Sequence, residues 1–402
     1  MTVRTRVVTP PRDTGSQKAL RERNIHMVVA TLRSQGPRTQ AALARTTGLS
    51  TGTVSSIVRE LEASGLVTTA SAISSGRRSV EVRLAPDPRV VFGVDIGRTH
   101  MRMLGWDVGR RAWAEEQVQL APGHEPFETL PLAAEMLERM LDQHHVDRSR
   151  VLSCGVALPA SLEPVTGRVV QASVLPNWAG VDLGEALRDA LGVPVVLEND
   201  ANLGALAHYG AGEHAGAHSL VYVKVATGVG VGLSFDGNLY RSTTGITGEI
   251  GHVPVVDNGE LCYCGNRGCL ETLVSTRRLV GDLHRTRPER TWDVPEVVKA
   301  AQAGDVMVNR LLYDAGVALG LAIAPVCNLL SPDDVVLGGP LAAGGRTLLE
   351  GMVATVRQRA LPATTGWTKF ALTDLGETAE VQGACMLALH DALRSGDVLV
   401  PN

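Results

Sequence analysis

Between His252 and Cys269 the chain reads HVPVVDNGELCYCGNRGC, so His252, Cys262, Cys264 and Cys269 stand within eighteen residues. Three of the chain's six cysteines fall in the last eight of them. Zinc takes four such soft or borderline ligands in a tetrahedron. Cys262 and Cys264, one residue apart, do not easily close an unstrained disulfide with each other. Gly265 and Gly268 let the backbone fold back so that Cys269 completes the shell. The competing reading is a set of buried free cysteines or a disulfide pair. Clustering at this density in a chain without secretory features favours metal. With all four corners filled by protein, the expected ion is one structural zinc per chain.

Two carboxylates flank that loop. Gly248-Glu249-Ile250-Gly251-His252 runs into it and Cys269-Leu270-Glu271 runs out, so a metal fixes Glu249 and Glu271 at the ends of one rigid segment. Fixed carboxylates are good acceptors for sugar hydroxyls. Another polar cluster, Glu198-Asn199-Asp200-Ala201-Asn202, follows the strand-like run Val193-Pro194-Val195-Val196-Leu197. The carboxyl end of such a strand is where an open α/β sheet presents ligand contacts. Any one of these carboxylates alone reads as a solvated loop charge. Beside the metal loop, together they read as a pocket.

From about Val90 to the C-terminus the chain resembles the ROK proteins, sugar kinases and sugar-responsive repressors of the actin/hexokinase superfamily. The resemblance rests on Val94-Asp95-Ile96-Gly97-Arg98-Thr99, the Glu-Asn-Asp-Ala-Asn run, Gly-Glu-Ile-Gly-His, and Cys-Tyr-Cys-Gly-Asn-Arg-Gly-Cys-Leu-Glu. It implies a two-lobed α/β body of the ribonuclease-H-like type with sugar in the cleft between lobes. Asn199, Asp200, Glu249, His252 and Glu271 would contact the sugar, and His252, Cys262, Cys264 and Cys269 would hold zinc. Asp200 would be the catalytic base only if the chain is a kinase. A nucleotide would meet Asp95, Gly97 and Thr99, then Thr227, Gly228 and Gly230, then Gly338 and Gly339, where glycines admit phosphates close to backbone.

Two departures count against ATP. Arg98 stands where the kinases usually have a glycine, crowding the phosphate approach, and Pro340 replaces another at the adenosine wall. Arg98 pairing with a phosphate would keep an ATP-dependent sugar kinase as the alternative. Residues 158–164, Thr166-Gly167-Arg168 and Leu175-Pro176-Asn177-Trp178 resemble the family's other pocket wall. Trp178 there either stacks on a sugar ring or fills core.

Charge separates the N-terminus from this body. Residues 1–84 carry 13 Lys and Arg against 5 Asp and Glu, whereas the rest of the 402-residue chain carries 25 against 37. Only the N-terminus is therefore suited to a polyanion. Leu20, Ile25, Val28, Val29 and Leu32 predict a helix over 17–35, stopped by Gly36-Pro37. Thr39 caps a short helix over 40–45, and Ser50 or Thr51 caps a third that runs to Ala63. Val54, Ile57, Val58 and Leu61 form one face of that third helix. Thr51, Thr53, Ser55, Ser56 and Arg59 lie on the other, where small hydroxyl side chains suit a major groove.

Strand-like runs at 66–69 and 80–84 flank Ser74-Ser75-Gly76-Arg77-Arg78, a hairpin with a basic tip. Arg77 and Arg78 would reach a minor groove or its phosphates. The whole reads as a winged helix-turn-helix for double-stranded operator DNA. A helical protein-docking module with a solvated basic loop is the alternative, and it leaves the charge balance unexplained. The ROK repressors carry a winged helix in this position and the plain kinases do not. The resemblance therefore implies a sugar-responsive transcriptional regulator of carbohydrate genes, a repressor, acting as a homodimer or dimer of dimers.

The expected organisation is a disordered tail at 1–16, the winged helix at 17–85 and a linker at 86–89. Lobe 1 would span 90–200 and take back 382–396, and lobe 2 would span 201–381 with the zinc loop. An apolar helix over 311–330 would be central to lobe 2. No eighteen-residue apolar run and no signal-peptide core is present, so a cytoplasmic protein without a membrane partner is expected, its Cys154, Cys327 and Cys385 reduced core thiols. His144-His145 and the charges at 285–290 read as solvated.

Overall fold

The computed structural model describes residues 17–63, 65–74, 77–85, 89–107, 111–163, 167–171 and 174–395. The expected tail at 1–16, the hairpin tip Ser75-Gly76 and the linker's Pro86-Asp87-Pro88 lie outside the described residues, as do the side chains of Arg77 and Arg78.

The N-terminal unit consists of α1 (Gln17–Gln35), β1 (Arg38–Thr39), α2 (Gln40–Thr47), α3 (Thr51–Ala63), β2 (Val67–Ser74) and β3 (Arg77–Leu84). Thr39 caps α2 by accepting from the Ala42 N–H, and Gly48 ends it at φ 72°. Val28, Leu43, Val54, Ile57 and Val82 are sealed between the helices and the sheet. The sheet order is β1-β3-β2. β1 has no signature in the sequence because two residues carry no periodicity. The expected five-residue tip is also corrected: pairing continues to Ser74↔Arg77 and Ile73↔Arg78, so both arginines are strand residues.

In the body, lobe 1 runs β4 (Val90–Ile96), β5 (His100–Asp107), β6 (Arg111–Gln119), α4 (Pro126–Gln143), β7 (Val151–Leu158), β8 (Ser161–Leu162), β9 (Val169–Gln171), α5 (Leu183–Leu191), β10 (Val195–Asn199) and α6 (Asp200–Gly210). Its sheet order is β10-β7-β4-β5-β6. Lobe 2 runs β11 (Ser219–Val225), β12 (Val229–Phe235), β13 (Asn238–Leu239), α7 (Glu271–Val274), α8 (Thr276–Thr286), α9 (Val294–Gln302), α10 (Val306–Leu330), β14 (Asp334–Gly338), α11 (Arg346–Arg359), α12 (Pro362–Thr365) and β15 (Lys369–Leu372). Its order, β13-β12-β11-β14-β15, repeats that of lobe 1. Each is an antiparallel meander extended by two parallel strands, the ribonuclease-H-like arrangement made twice.

The last helix of each lobe crosses to the other. α6 packs on β11 and β12, whereas α13 (Ala379–Ser395) packs on β4, β7 and α6. Close approach needs glycine: a Cβ on Gly155 would lie 2.0 Å from the Ala384 carbonyl oxygen. β10 begins two residues later than expected, past Pro194, which has no N–H to give a ladder; its carbonyl accepts from Cys154 N–H at 2.8 Å. α10 is long and apolar enough by composition to cross a membrane, but half of its most apolar window is buried, and it packs against α11 in the core of lobe 2.

The winged-helix core does not stop at its own boundary. The apolar cluster holding Leu43, Ile57 and Leu61 continues into Leu104 and Trp106 of β5 and Ala388, Leu389 and Ala392 of α13. α1 rests on α13. The N-terminal unit is thus seated on the helix that crosses the two lobes.

Candidate functional site

A cleft of about 360 Å³ opens between the lobes and is lined from both. β10 and the start of α6 bring Asn199 and Asp200 to it, and the cysteine-rich loop brings Glu249, His252 and Glu271 from the opposite side. All five expected sugar contacts therefore meet in one cavity, of a size that suits a small ligand. Asn199 already caps α6, its Oδ1 accepting from Ala201 and Asn202 N–H groups at 2.9 and 3.2 Å. Ser161 Oγ donates to Glu249 Oε1 at 2.5 Å, joining the lobes directly. Glu271 Oε2 accepts from the Val229 N–H at 3.3 Å. Burial pushes the Glu271 carboxyl above its ordinary range, with His252 drawing it the other way.

The ligand atoms of His252, Cys262, Cys264 and Cys269 all lie within 4.8 Å of one another. Cys264 and Cys269 Sγ are 3.7 Å apart, and Cys262 Sγ is 3.5 Å from His252 Nδ1. Zinc–sulfur bonds of about 2.3 Å imply tetrahedral edges of roughly 3.7 Å, so the donor set fits a metal ion. All six cysteines are free thiols, which removes the disulfide reading. Gly268 makes the loop possible: its φ is +68°, and a Cβ there would stand 1.8 Å from the Val256 carbonyl oxygen. His252 serves two sides. Its Nδ1 faces Cys262, and its Nε2 lies 3.9 Å from Glu249 Oε2 on the cleft side.

Most of the expected nucleotide contacts line the same cleft: Asp95, Gly97, Thr99, Thr227, Gly228, Gly230 and Gly339. Gly338 does not; a Cβ there would meet the Tyr222 hydroxyl at 2.1 Å. At the centre stands Lys224, which the motifs do not single out. Its ammonium donates to Asp200 Oδ2 at 2.9 Å and stands 3.2 Å from Glu380 Oε1. Burial pushes the Asp200 carboxyl up against the pull of Lys224, while Asp200, Glu380 and Asp95 together overcome burial and raise Lys224. Tyr222 hydroxyl also donates to Glu380 Oε1, at 2.9 Å. A signal for Lys224 does exist in the sequence: a lone charge inside Leu-Val-Tyr-Val-Lys-Val must find a partner if that strand is buried.

One open reading is decided and one expectation is corrected. Trp178 is fully buried and its Nε1 donates to the His124 carbonyl at 3.1 Å, so it is core and cannot stack on a sugar in the cleft. The charges at 285–290 are not simply solvated: Arg287 pairs with Asp305, Arg290 pairs with Glu296, and Arg290 covers Trp292 at 4.3 Å.

On the N-terminal unit, Val54, Ile57, Val58 and Leu61 of α3 are buried, whereas Thr51 and Arg59 are exposed. Ser50 caps the helix by accepting from the Thr53 N–H at 3.1 Å, and its Oγ is 2.8 Å from Thr53 Oγ1. Ser55 is half-buried beside them. Ser56 sits at the flank toward α1, accepting from Arg21 Nη2 at 3.3 Å. If β2 and β3 form a wing on DNA, replacing Arg77 and Arg78 with Ala is expected to weaken duplex binding. The salt slope should fall by about one per lost phosphate contact. Titrations across a salt series check this, and an unchanged slope would remove the arginines from the phosphates.

Fold and site thus define a winged-helix unit carried on a two-lobed body of sugar-kinase type. The chain belongs to the ROK family, whose model matches residues 91–391, and a MarR family model matches residues 24–78. It is 25% identical over 393 residues to a protein named xylose repressor from Caldicellulosiruptor bescii, covering 94% of this chain and 98% of that one. It is 26% identical to the DNA-binding transcriptional repressor Mlc of Escherichia coli, covering 96% and 97% respectively. A crystal structure of a ROK family transcriptional regulator, described as a homologue of the E. coli MLC protein, superimposes with a TM-score of 0.79 at 24% identity. That likeness covers 94% of this chain and 99% of the other. The architecture is that of the family's regulators, with the winged helix included.

Proposed function

We propose that this protein is a sugar-responsive, DNA-binding transcriptional regulator, a repressor of carbohydrate uptake or metabolism genes. It works in the cytoplasm as a homodimer or dimer of dimers on operator DNA, with one structural zinc per chain and without catalysis. Thr51, Thr53, Ser55, Ser56 and Arg59 face the major groove, with Arg77 and Arg78 on the wing. Asn199, Asp200, Glu249, His252 and Glu271 bind the sugar.

One observation carries the reading. α13 supplies Glu380 to the cleft, and its far end joins the apolar cluster of the winged helix. A ligand that alters how the lobes meet around Asp200 and Glu249 acts on the helix that seats the DNA-binding unit. Such a ligand changes operator affinity only if it binds the two arrangements unequally. The alternative, an ATP-dependent sugar kinase with an appended DNA-binding unit, has less support, because relatives matching nearly the whole chain are named repressors.

Selection from random duplexes by the full-length protein is expected to yield an inverted repeat with half-sites about one helical turn apart, or a multiple of it. Within a sugar panel, one member should shift affinity for that duplex by roughly 5- to 150-fold. Enrichment of no sequence would end the regulator reading.

A further inference from the structure

Two side chains of lobe 2 meet the start of α13. Tyr222 and Lys224 stand two apart on β11, on one side of the strand. Both reach Glu380 Oε1, the hydroxyl at 2.9 Å and the ammonium at 3.2 Å. Burial and Glu380 push the Tyr222 hydroxyl well above its ordinary range, so it keeps its proton and donates. Its ring is closely confined: a Cβ on Gly204 would stand 2.1 Å from it, and one on Gly338 2.1 Å from its hydroxyl. Tyr222 thus gives Glu380 a fixed anchor. Lys224 is instead shared, its second carboxylate partner being Asp200 at 2.9 Å.

Glu380 stands at a joint between two bodies. On one side, α13 is bound to lobe 1 by close backbone approach, for a Cβ on Gly93 of β4 would stand 2.3 Å from the Val381 carbonyl oxygen. The apolar cluster of the N-terminal unit continues into β5 of that lobe and the far end of α13. On the other side, Ala379 shares a small apolar cluster with Leu220, Tyr222 and Val336 of lobe 2. The N-terminal unit therefore rides with lobe 1 and α13, and lobe 2 grips that body at Glu380 through Tyr222 and Lys224.

We propose that Lys224, Tyr222 and Glu380 are positioning residues for the DNA response: sugar at Asp200 changes how the Lys224 ammonium is divided between Asp200 and Glu380, and Glu380 passes that change to the joint between lobe 2 and α13. The proposal rests on the sugar-responsive reading above and adds the residues that carry its signal. Both Asp200 oxygens already accept, Oδ1 from the Ala201 N–H at 2.7 Å and Oδ2 from Lys224. A sugar hydroxyl arriving there is an added donor, and it weakens the carboxylate's hold on the ammonium. Too buried to do without acceptors, the ammonium then leans on Glu380. Because Lys224 and Tyr222 belong to one strand, a shift at Glu380 turns lobe 2 against α13 and the unit seated on it.

The test reads one ratio, operator affinity without sugar against operator affinity with saturating sugar, by fluorescence anisotropy on the selected duplex. The full-length, metal-loaded protein is titrated with D-xylose, D-glucose and N-acetylglucosamine in turn, and calorimetry gives the affinity for the sugar that responds. Tyr222→Phe keeps the ring and removes only a hydroxyl that lies outside the cleft lining. It is expected to bind sugar, and operator without sugar, as the unaltered protein does. The ratio, roughly 5- to 150-fold before substitution, should nevertheless fall by at least about threefold. Glu380→Gln keeps an acceptor for Tyr222 but drops the charge that holds Lys224, and should lower the ratio likewise. Lost stability alone would lower the melting temperature and leave the ratio in place.

An unchanged ratio in either folded variant overturns the joint and leaves the sugar sensor standing. A ratio lost in Tyr222→Phe together with sugar affinity also overturns it, since the hydroxyl would then act in binding. No response of the unaltered protein to any of the three sugars removes the sensor reading and the joint with it.

Discussion

Cys264→Ser is expected to yield a folded protein that has lost its zinc and binds sugar at least about 100-fold more weakly. Even outer-shell changes around metal sites cost roughly 10- to 100-fold in metal affinity, and a lost thiolate costs more. The consequence reaches the sugar because Glu249 and Glu271 stand within three residues of His252 and Cys269 at the two ends of the loop. Backbone ties such as Val255 N–H to the Gly268 carbonyl and Cys262 N–H to the Asn266 carbonyl hold the loop's path, but none of them fixes the His252 side chain. Released from the metal, His252 no longer fixes Glu249, and Cys269 no longer positions Glu271 two residues on. The winged helix lies elsewhere, so duplex affinity without sugar should be retained. Elemental analysis, circular dichroism and sugar titration on one preparation decide the matter. Full sugar affinity in a folded, zinc-free protein would separate the metal from sensing.

Glu249→Ala is expected to bind operator normally and to ignore sugar. Hydrogen bonds to a charged group contribute about 1.5–3 kcal/mol each, so losing one should lower sugar affinity by roughly 10- to 150-fold. The substitution also removes the Ser161–Glu249 bond that joins the lobes. Asp200→Asn should damage sensing by a different route, leaving Lys224 with Glu380 as its nearest carboxylate. Reciprocity supplies the stricter check: operator DNA must change sugar affinity by the same factor as sugar changes operator affinity. Equal sugar affinities with and without operator would show that this body is not coupled to the DNA-binding unit.

Much of the site is legible in the sequence because its chemistry is local along the chain. Cys262, Cys264 and Cys269 share one loop with His252, and Glu249 and Glu271 are its flanks, so short-range spacing is enough to group them. The helices of the winged unit are equally plain. Thr39 and Ser50 announce two starts, and the spacing of Val54, Ile57, Val58 and Leu61 announces which side of α3 is buried. Trp178 is less tractable. A large amphipathic ring suits a sugar face or a core equally well, and only its neighbours, His124 above all, decide between them.

By itself, then, the sequence determined the cysteine-rich loop, the carboxylates at its ends, the amphipathic third helix and the basic N-terminal charge, because each depends on residues close along the chain. The tertiary structure alone decided what meets across distance. It set Lys224 between Asp200 and Glu380, repeated one strand order in both lobes and seated the winged helix on α13. Most of those contacts join residues tens to hundreds of positions apart. They arise where crossing helices and paired sheets bury charge that must find a partner, and no spacing pattern encodes which partner that is.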